Sequence, residues 1–274
     1  MRRSFFLIIA FSPLIFISCT KPGNSSIVDS PIRPNPESRN QEGNKLLGSS
    51  TYNGNMLQWT TIYYLGSSDR IDKIVDSAMY ISDPSALPLE VAVEYYIYNS
   101  DDKLAEIRRK DGGVLKPLSR YTYNAQGLVA QQEVIDSGRL DYTYNTDGRI
   151  VTDSTFYTST NRWEIAVNRN YDAVGNIVSE EEWIFDPRVN TLVKQSNSTF
   201  FYDDKLTPYS SISQNTFGFH LRQHNILSVS STFASGASYT TTNSYIYNSF
   251  SVPKIENHYS TTGELQVTIK YYYY

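Results

Sequence analysis

The chain has 274 residues, a formal net charge of −4 at pH 7 and one cysteine, Cys19. A mildly acidic chain is a poor electrostatic match for nucleic acid, so we expect no nucleic-acid partner, and a single cysteine excludes a disulfide framework. The 23 tyrosines, 12 phenylalanines and 3 tryptophans favour strands over helices. The composition therefore predicts an all-β protein.

Residues 1–18 predict a lipoprotein signal peptide. Met1–Ser4 is a short positive segment, and residues 5–17 form an apolar run that is too short to span a membrane comfortably. The run ends at Phe16–Cys19, which resembles a bacterial lipobox, where the cysteine receives diacylglycerol. Ordinary signal-peptidase cleavage beside an incidental cysteine is the alternative.

Residues 19–45 are predicted to be the lipidated Cys19 followed by a flexible tether. Several prolines stand among polar neighbours without apolar periodicity, and such a segment cannot bury enough surface to fold. The lipid on Cys19 would make the membrane a partner of the protein. Because Thr20 stands where an Asp often retains lipoproteins in the inner membrane, we expect an outer-membrane lipoprotein of the cell envelope. Whether it faces the periplasm or the cell surface stays open.

From residue 46 onward, the pattern changes to the alternation of strands, which predicts a single all-β domain over residues 46–274. No stretch of ten or more residues has convincing helical spacing. Residues 91–98 illustrate the alternation, and we expect one face of this strand to be the better buried. The residues on that face are Val91, Val93, Tyr95 and Ile97.

A recurring phrase has the form aromatic, any residue, Tyr, Asn or Asp, a short polar run, often Gly, and an aliphatic residue. It occurs as Tyr121–Leu128, Tyr142–Ile150 and Tyr171–Ile177. Asn145 can accept hydrogen bonds from the backbone N–H groups that follow it, and Gly148 can supply the positive φ of a G1 bulge. The phrase therefore predicts β-hairpins whose tyrosines share one face and stack across strands.

Looser copies of the phrase extend the series at irregular spacing, which argues against a strict solenoid. The second aromatic residue falls at Tyr98, Tyr123, Tyr144, Tyr171, Tyr202 and Tyr247. Irregular spacing suits successive hairpins of unequal length. We therefore predict a water-soluble antiparallel meander that forms either a barrel or a strongly curled open sheet.

The phrase resembles the YD repeats of Rhs-type and related bacterial surface proteins. Over roughly residues 46–274, the chain also resembles uncharacterised Gram-negative lipoproteins that carry a domain of unknown function with a porin-like fold. Tyr202–Tyr209 and His224–Ile226 carry that resemblance. It implies an antiparallel, barrel-like sheet, and it brings no activity and no catalytic residues.

A search for catalytic or metal-binding patterns finds none that is specific. His220 and His224 are four residues apart, but a zinc site needs a third ligand, and Leu221 stands where an HExxH motif needs Glu. Glu180 and Glu182 could share a strand face, as a glycosidase pair would, but a solvated strand face is the simpler expectation. We therefore predict no enzyme activity, no metal and no cofactor.

Aromatic side chains are the better candidates for ligand contact, because their rings stack on sugar faces and their polar groups form hydrogen bonds. Cross-strand packing is the alternative role for the same rings. The candidates are Trp59, Tyr63, Tyr64, Trp163 and Trp183.

The sequence leaves three functions open. The first is a lipid-anchored, non-catalytic binding or structural module that takes a glycan or an envelope protein. The second is an integral outer-membrane β-barrel, against which the polar residues on the apparent outward faces argue. The third is a secreted glycan-processing enzyme. A local function is expected where the phrase breaks down, in residues 83–90, 186–191 and 207–243.

Overall fold

The alternating region closes into a barrel. The computed structural model of the chain describes residues 45–54, 56–66, 69–78, 90–111, 113–212 and 223–273. The strands, in chain order, are β1 Leu46–Asn53, β2 Met56–Leu65, β3 Ile71–Ala78, β4 Glu90–Tyr98, β5 Leu104–Asp111, β6 Val114–Tyr123, β7 Val129–Val134, β8 Gly138–Tyr144, β9 Ile150–Tyr157, β10 Arg162–Tyr171, β11 Ile177–Asp186, β12 Thr191–Leu206, β13 His224–Phe233, β14 Ser238–Tyr247, β15 Pro253–Tyr259 and β16 Leu265–Tyr273.

Each strand pairs antiparallel with the next along the chain, and β16 pairs with β1 to close the sheet. The predicted all-β antiparallel meander is therefore confirmed, and it is a closed barrel and not an open sheet. Closure pairs the edges that an open sheet would expose. Among the residues that the structure describes, no helix has the length and apolarity needed to cross a membrane.

The meander gives the barrel two ends. The repeat end carries the turns that follow the even-numbered strands, together with the start of β1 and the end of β16. The opposite end carries the turns that follow the odd-numbered strands. The copies of the phrase at Tyr98, Tyr123, Tyr144, Tyr171 and Tyr247 turn at the repeat end, whereas the copy at Tyr202 continues as strand to Leu206 and a further copy, His258–Leu265, turns at the opposite end.

The turn chemistry predicted for the phrase is confirmed. Asn145 Oδ1 accepts hydrogen bonds from the N–H groups of Asp147 at 3.0 Å and Arg149 at 2.9 Å. Gly148 has φ of 76°, and the strand register shifts between Thr143 and Tyr144, as a bulge requires. The phrase therefore fixes where each hairpin turns.

The copy that lacks glycine keeps the same backbone. Asn99 Oδ1 accepts from the N–H groups of Asp101 and Lys103, each at 3.0 Å. Asp102 takes the place of the glycine with φ of 60°. Asp and Asn tolerate the left-handed region better than other residues that carry a side chain.

The second aromatic residue of the phrase has a further role, which the sequence did not reveal, in every copy named above except that of Tyr247, whose hydroxyl bonds to Asp203, and that of His258–Leu265. Tyr144 donates its hydroxyl hydrogen bond to the carbonyl of Val129 at 2.7 Å, and so joins one hairpin to the previous one. We call this hydrogen bond, from a tyrosine hydroxyl to a backbone carbonyl of the previous hairpin, a latch. Latches recur around the barrel, as Tyr98 to Ile71 at 2.7 Å, Tyr123 to Leu104 at 2.6 Å, Tyr171 to Ile150 at 2.6 Å, Tyr202 to Ile177 at 2.8 Å and Tyr273 to Pro253 at 2.5 Å. The phrase therefore specifies a turn and also the contact between successive hairpins.

The hydrophobic core lies toward the repeat end and is covered by a short 3-10 helix, Pro208–Ser211. Tyr209, within this helix, packs edge-on against Tyr63, with ring centroids 6.4 Å apart. Ile212 is buried among core residues that include Leu46 and Tyr271. Because the connection after β12 folds back over the interior, it closes part of this end.

One strand face was assigned wrongly from the sequence. In β4, Tyr96 is 7% exposed whereas Ile97 is 39% exposed, so the face that carries Ile97 is the outer one. The physical reason is the latch, because Tyr98 points inward to reach the carbonyl of Ile71. Alternation then places Tyr96 inside and Ile97 on the outer face.

The expected irregular segments are only partly irregular. Residues 207–243 contain all of β13 and part of β14, and residues 213–222 of this segment lie outside the described residues. Residues 186–191 form the turn between β11 and β12, where Asp186 Oδ1 accepts from the N–H of Arg188 at 2.9 Å. Residues 83–89 lie outside the described residues.

Candidate functional site

The strand register divides the barrel into an inner wall and an outer wall, because residues paired across antiparallel strands share a face. Asp153, Val167 and Glu182 form a row that faces the interior. Ala166 and Trp183 form part of the neighbouring row that faces outward. Sixteen-stranded porins leave an aqueous channel, whereas many inner-wall side chains of this barrel are buried.

The register separates the candidate aromatic residues into two groups. Trp59 and Tyr63 lie on the inner wall, where Trp59 Nε1 donates to Asp76 at 3.3 Å and Tyr63 is 9% exposed. Tyr64 lies on the outer wall of β2, with the ammonium group of Lys73 3.9 Å from its ring centroid. Of the candidates, Trp59 and Tyr63 are therefore packing residues.

Trp163 and Trp183 lie together on the outer wall and form the centre of an aromatic platform. Its residues are Phe156, Trp163, Trp183 and Phe185, with Arg139 and Arg162. The rings of Phe156 and Trp163 meet edge to face, with centroids 5.4 Å apart. The platform lies toward the opposite end of the barrel, because Trp163 is the second residue of β10.

Two guanidinium groups lie against rings of the platform. The Arg139 guanidinium lies 4.8 Å from the ring centroid of Phe156 and 5.0 Å from that of Trp163. Arg162 lies 4.1 Å from the ring centroid of Phe185. Phe156 and Trp163 flank the same hairpin turn at paired positions, so hairpin symmetry was a signal that could have found Phe156 from the sequence.

Each cation at the platform has an acidic neighbour. Arg139 lies 3.4 Å from Asp141, and Arg162 donates to Glu164 at 3.1 Å. Lys194, which pairs with Trp183 in the register, lies 2.5 Å from Glu181. The platform therefore combines aromatic rings with locally balanced charge.

The inner wall of the same strands holds a buried ion cluster. Arg169 Nε donates to Glu180 at 2.7 Å, and Arg169 Nη1 also donates to Asp153. These side chains are 10–15% exposed. Burial raises the pKa of the Glu180 carboxyl, and the charge of Arg169 opposes that rise. The solvated strand face expected for Glu180 is therefore wrong, because Arg169 lies opposite it inside the barrel.

Two further carboxyl groups on the inner wall have raised pKa values. Burial raises the pKa of Glu182, against the hydrogen bond that Ser196 donates at 3.4 Å. Burial also raises the pKa of Asp76, although Thr61 donates to it at 2.6 Å. Glu182 is thus on an inner wall and not on a solvated face.

Glu256 is another inner-wall acid and is 5% exposed. It accepts hydrogen bonds from the hydroxyls of Tyr271 at 2.6 Å and Tyr245 at 3.1 Å. Burial is the main cause that raises the pKa of Tyr271, and the charge of Glu256 adds to it. The buried acid Glu256 is thus hydrogen-bonded to donors that the barrel itself supplies.

The histidines do not form a metal site within the described residues. His224 Nδ1 lies 3.0 Å from Nδ2 of Asn176, and the His224 N–H donates to Asn176 Oδ1 at 3.2 Å. His220 lies outside the described residues, as does Cys19. Across the described ranges, no group of three His, Cys, Asp or Glu side chains could hold a metal ion.

Comparison with known proteins places the fold. No family model and no curated protein sequence matches the chain. A porin-like protein from Bacteroides uniformis superposes with a TM-score of 0.55 at 11% identity, over 84% of this chain and 97% of that one. A porin-like protein from Bacteroides vulgatus gives 0.44 at 11% identity, over 84% and 98%.

The Tc holotoxin pore of Photorhabdus luminescens aligns with a TM-score of 0.35 at 15% identity, over 77% of this chain. The chain spans about a tenth of that toxin chain, since 11% of it is covered. The likeness to the Bacteroides uniformis protein shows that this chain shares a porin-like barrel fold.

Proposed function

We propose that the protein is a lipid-anchored component of the cell envelope whose barrel stands in water and acts as a non-catalytic binding module. The single observation that carries this proposal is the polar outer wall. If the barrel does not enter the bilayer, membrane attachment falls to the lipid predicted on Cys19. The outer membrane remains the proposed location.

The outer wall of β5–β7 is charged. Arg120 lies between Glu106 and Glu133, at 3.6 Å from each, and both Arg120 and Glu133 are about half exposed. A charged side chain on the lipid face of a membrane barrel costs about 2–4 kcal/mol near the midplane for Arg or Lys. These ion pairs favour a wall that faces water over an integral barrel.

The outer wall of β13 and β14 is rich in hydroxyl groups. Ser230 and Thr240 share a hydrogen bond at 2.9 Å, and Thr232 and Ser238 share one at 3.1 Å. The outward positions of β14 are all exposed. Hydroxyl rows of this kind suit water on that side of the barrel and support the same proposal.

The ligand we propose is a neutral glycan that binds at the aromatic platform. Aromatic faces such as that of Trp163 stack on the apolar faces of sugar rings, and adjacent polar groups bond to sugar hydroxyls. Because Arg139, Arg162 and Lys194 each have an acidic neighbour, the platform offers no surplus charge that would select an acidic polymer. The proposal is for binding without hydrolysis, since Arg169 and the tyrosine hydroxyls hold the buried carboxylates.

The anchor is tested by Cys19→Ala in the full chain, expressed in a Gram-negative host. We expect loss of labelled fatty-acid incorporation and release of folded protein into the soluble fraction. Thr20→Ala is the matched control and should stay in the membrane fraction. Continued membrane association of Cys19→Ala after carbonate washing would instead support an integral barrel.

Glycan binding is tested on immobilised neutral polysaccharides such as xylan, mannan and starch. Trp163→Ala with Trp183→Ala should reduce retention at least tenfold, whereas Tyr64→Ala, which removes an outer-wall ring on β2, should not. Equal retention of both variants, or no retention of the folded parent protein, would refute this ligand class.

A further inference from the structure

Large apolar side chains are exposed along one side of the repeat end. We name this set the apolar rim. It consists of Val178, Phe201, Leu206, Leu227, Ile246 and Phe250, which are 37%, 60%, 48%, 39%, 48% and 54% exposed. They come from β11, β12, β13, β14 and the turn after β14, which are neighbours in the sheet. Contiguous exposed apolar groups on a protein surface mark interaction sites.

The register holds the rim outward. Phe201 stands between Phe200, which is 5% exposed, and Tyr202, whose hydroxyl is latched to Ile177 in the interior. Ile246 likewise stands between two inward tyrosines, Tyr245 and Tyr247, whose rings are 6.0 Å apart. Alternation therefore prevents the rim side chains from turning into the core.

Among the described residues, the exposed large apolar side chains of the repeat end are concentrated on β11–β14, and outside that sector Tyr64 and Ile97 stand singly on β2 and β4. The described outer wall of β5–β7 holds the ion pairs of Arg120. Next to Leu206, Lys205 and Asp204 pair with each other at 3.3 Å. A one-sided apolar sector suits a surface that lies against a boundary, whereas a spanning barrel needs an apolar band around its whole circumference.

The chain enters the barrel at the end that carries the rim, because β1 begins there at Leu46. Only residues 20–45 separate Leu46 from Cys19. The tether that the sequence predicts there would span about 30 Å as a flexible coil and about 80 Å if its prolines held it in the extended polyproline form. An anchored barrel therefore stays near the bilayer, and the high effective concentration lets even weak apolar contacts be occupied.

We propose that the apolar rim docks on the surface of the bilayer that holds the lipid of Cys19. The rim side chains enter the boundary between head groups and acyl chains, as the apolar face of an interfacial protein does. The barrel then stands with its repeat end toward the membrane and displays the aromatic platform, which lies toward the opposite end. This inference rests on the lipid anchor of the proposed function and adds an orientation to it.

The test uses single thiols in the lipidated full chain. Cys19 is the only cysteine in the sequence, and acylation occupies its sulfur, so Phe250→Cys and Val114→Cys each introduce one labelling site. Val114 lies at the opposite end and is 60% exposed, which makes it a matched control for Phe250. Each variant carries a fluorophore and is reconstituted in phosphatidylethanolamine–phosphatidylglycerol vesicles.

We expect iodide in the water to quench the label at position 250 at least threefold less than the label at position 114. Adding Phe201→Ser and Ile246→Thr should remove that protection, whereas Leu115→Ser, which alters an exposed residue at the opposite end, should not. Equal quenching at both positions would overturn the docking proposal. A second result would also overturn it. If the label at position 250 is protected in Cys19→Ala protein without vesicles, and this protection increases with protein concentration, a second copy of the chain covers the rim. Failure of the anchor itself is distinct, since the thiol of Cys19 would then be free and the protein soluble.

Discussion

The inner and outer walls of strands β9–β11 carry the same kinds of side chain, but these are largely buried on the inner wall and more exposed on the outer wall. On the inner wall, Arg169 is largely buried between Asp153 and Glu180. On the outer wall, Arg162 is half exposed, lies over Phe185 and bonds to Glu164. Burial, and not residue type, separates a group that holds the barrel together from one that can meet a ligand.

We expect the inner wall to determine stability and the outer wall to determine binding. Charges inside must be neutralised by partners that the fold supplies, because unpaired ions are costly in a low-dielectric interior. On an outer wall that stands in water, as we propose for this barrel, charges are screened, so their pairs contribute little to stability. We therefore expect substitutions inside to change the free energy of unfolding and substitutions outside to change binding.

The largest expected effect comes from Arg169→Met, compared with Arg162→Met. Removing Arg169 leaves two buried carboxylates without their cation, which should lower the free energy of unfolding by about 3–5 kcal/mol at pH 7. Arg162→Met removes an exposed ion pair and a ring contact, for which about 1 kcal/mol or less is expected. Urea denaturation followed by circular dichroism measures both.

A rescue variant sharpens that prediction. Adding Asp153→Asn and Glu180→Gln to Arg169→Met removes the buried charges, so part of the lost stability should return. Equal losses for Arg169→Met and Arg162→Met would show that the inner cluster is as well solvated as the outer pair.

The sequence predicts the hairpins but not which face of each strand turns inward. The hairpins are predictable from local chemistry, because Asn145 and Gly148 act on backbone groups within four residues of themselves. Which face turns inward is decided by distant partners. Arg169 lies 11 residues before Glu180 in the sequence, across a hairpin, and this pairing turns Glu180 and Glu182 inward.

The sequence predicts which aromatic residues are candidates for the site, but it does not predict which of them face outward. Trp163 and Trp183 were identified because large rings on strands are candidates for contact, and the register brings them onto one outer surface. Trp59 looks the same in sequence, yet it faces the interior, where Asp76 accepts its hydrogen bond. Alternation alone does not distinguish these tryptophans, because each strand has two faces and only closure of the barrel chooses between them.

A smaller effect is expected from removing one latch. Tyr171 donates to the carbonyl of Ile150 at 2.6 Å, and burial raises the pKa of its hydroxyl to about 12. Tyr171→Phe keeps the ring but leaves the carbonyl without that donor, which should cost about 1 kcal/mol. The outer-wall variant Tyr259→Phe, which removes a hydroxyl 3.3 Å from Ser244, should be nearly neutral. Thermal unfolding of both variants checks the difference, and equal midpoints would argue against the latch.

The smallest effect is a pH dependence that separates neighbouring glutamates. Burial raises the pKa of Glu182 above 4.5 in the folded state, so the folded protein binds the proton more tightly than the unfolded chain. Below about pH 4.5, both states are protonated and nothing is lost, and stability falls as the pH rises through the raised pKa. Glu182→Gln removes that loss, so its stability relative to the parent should grow between pH 4 and pH 7.

Glu181→Gln, on the outer wall beside Lys194, removes only an exposed pair and should show no such gain. Denaturation at pH 4, 5.5 and 7 measures both variants, and a constant difference for Glu182→Gln across that range would place its carboxyl in water and not inside the barrel.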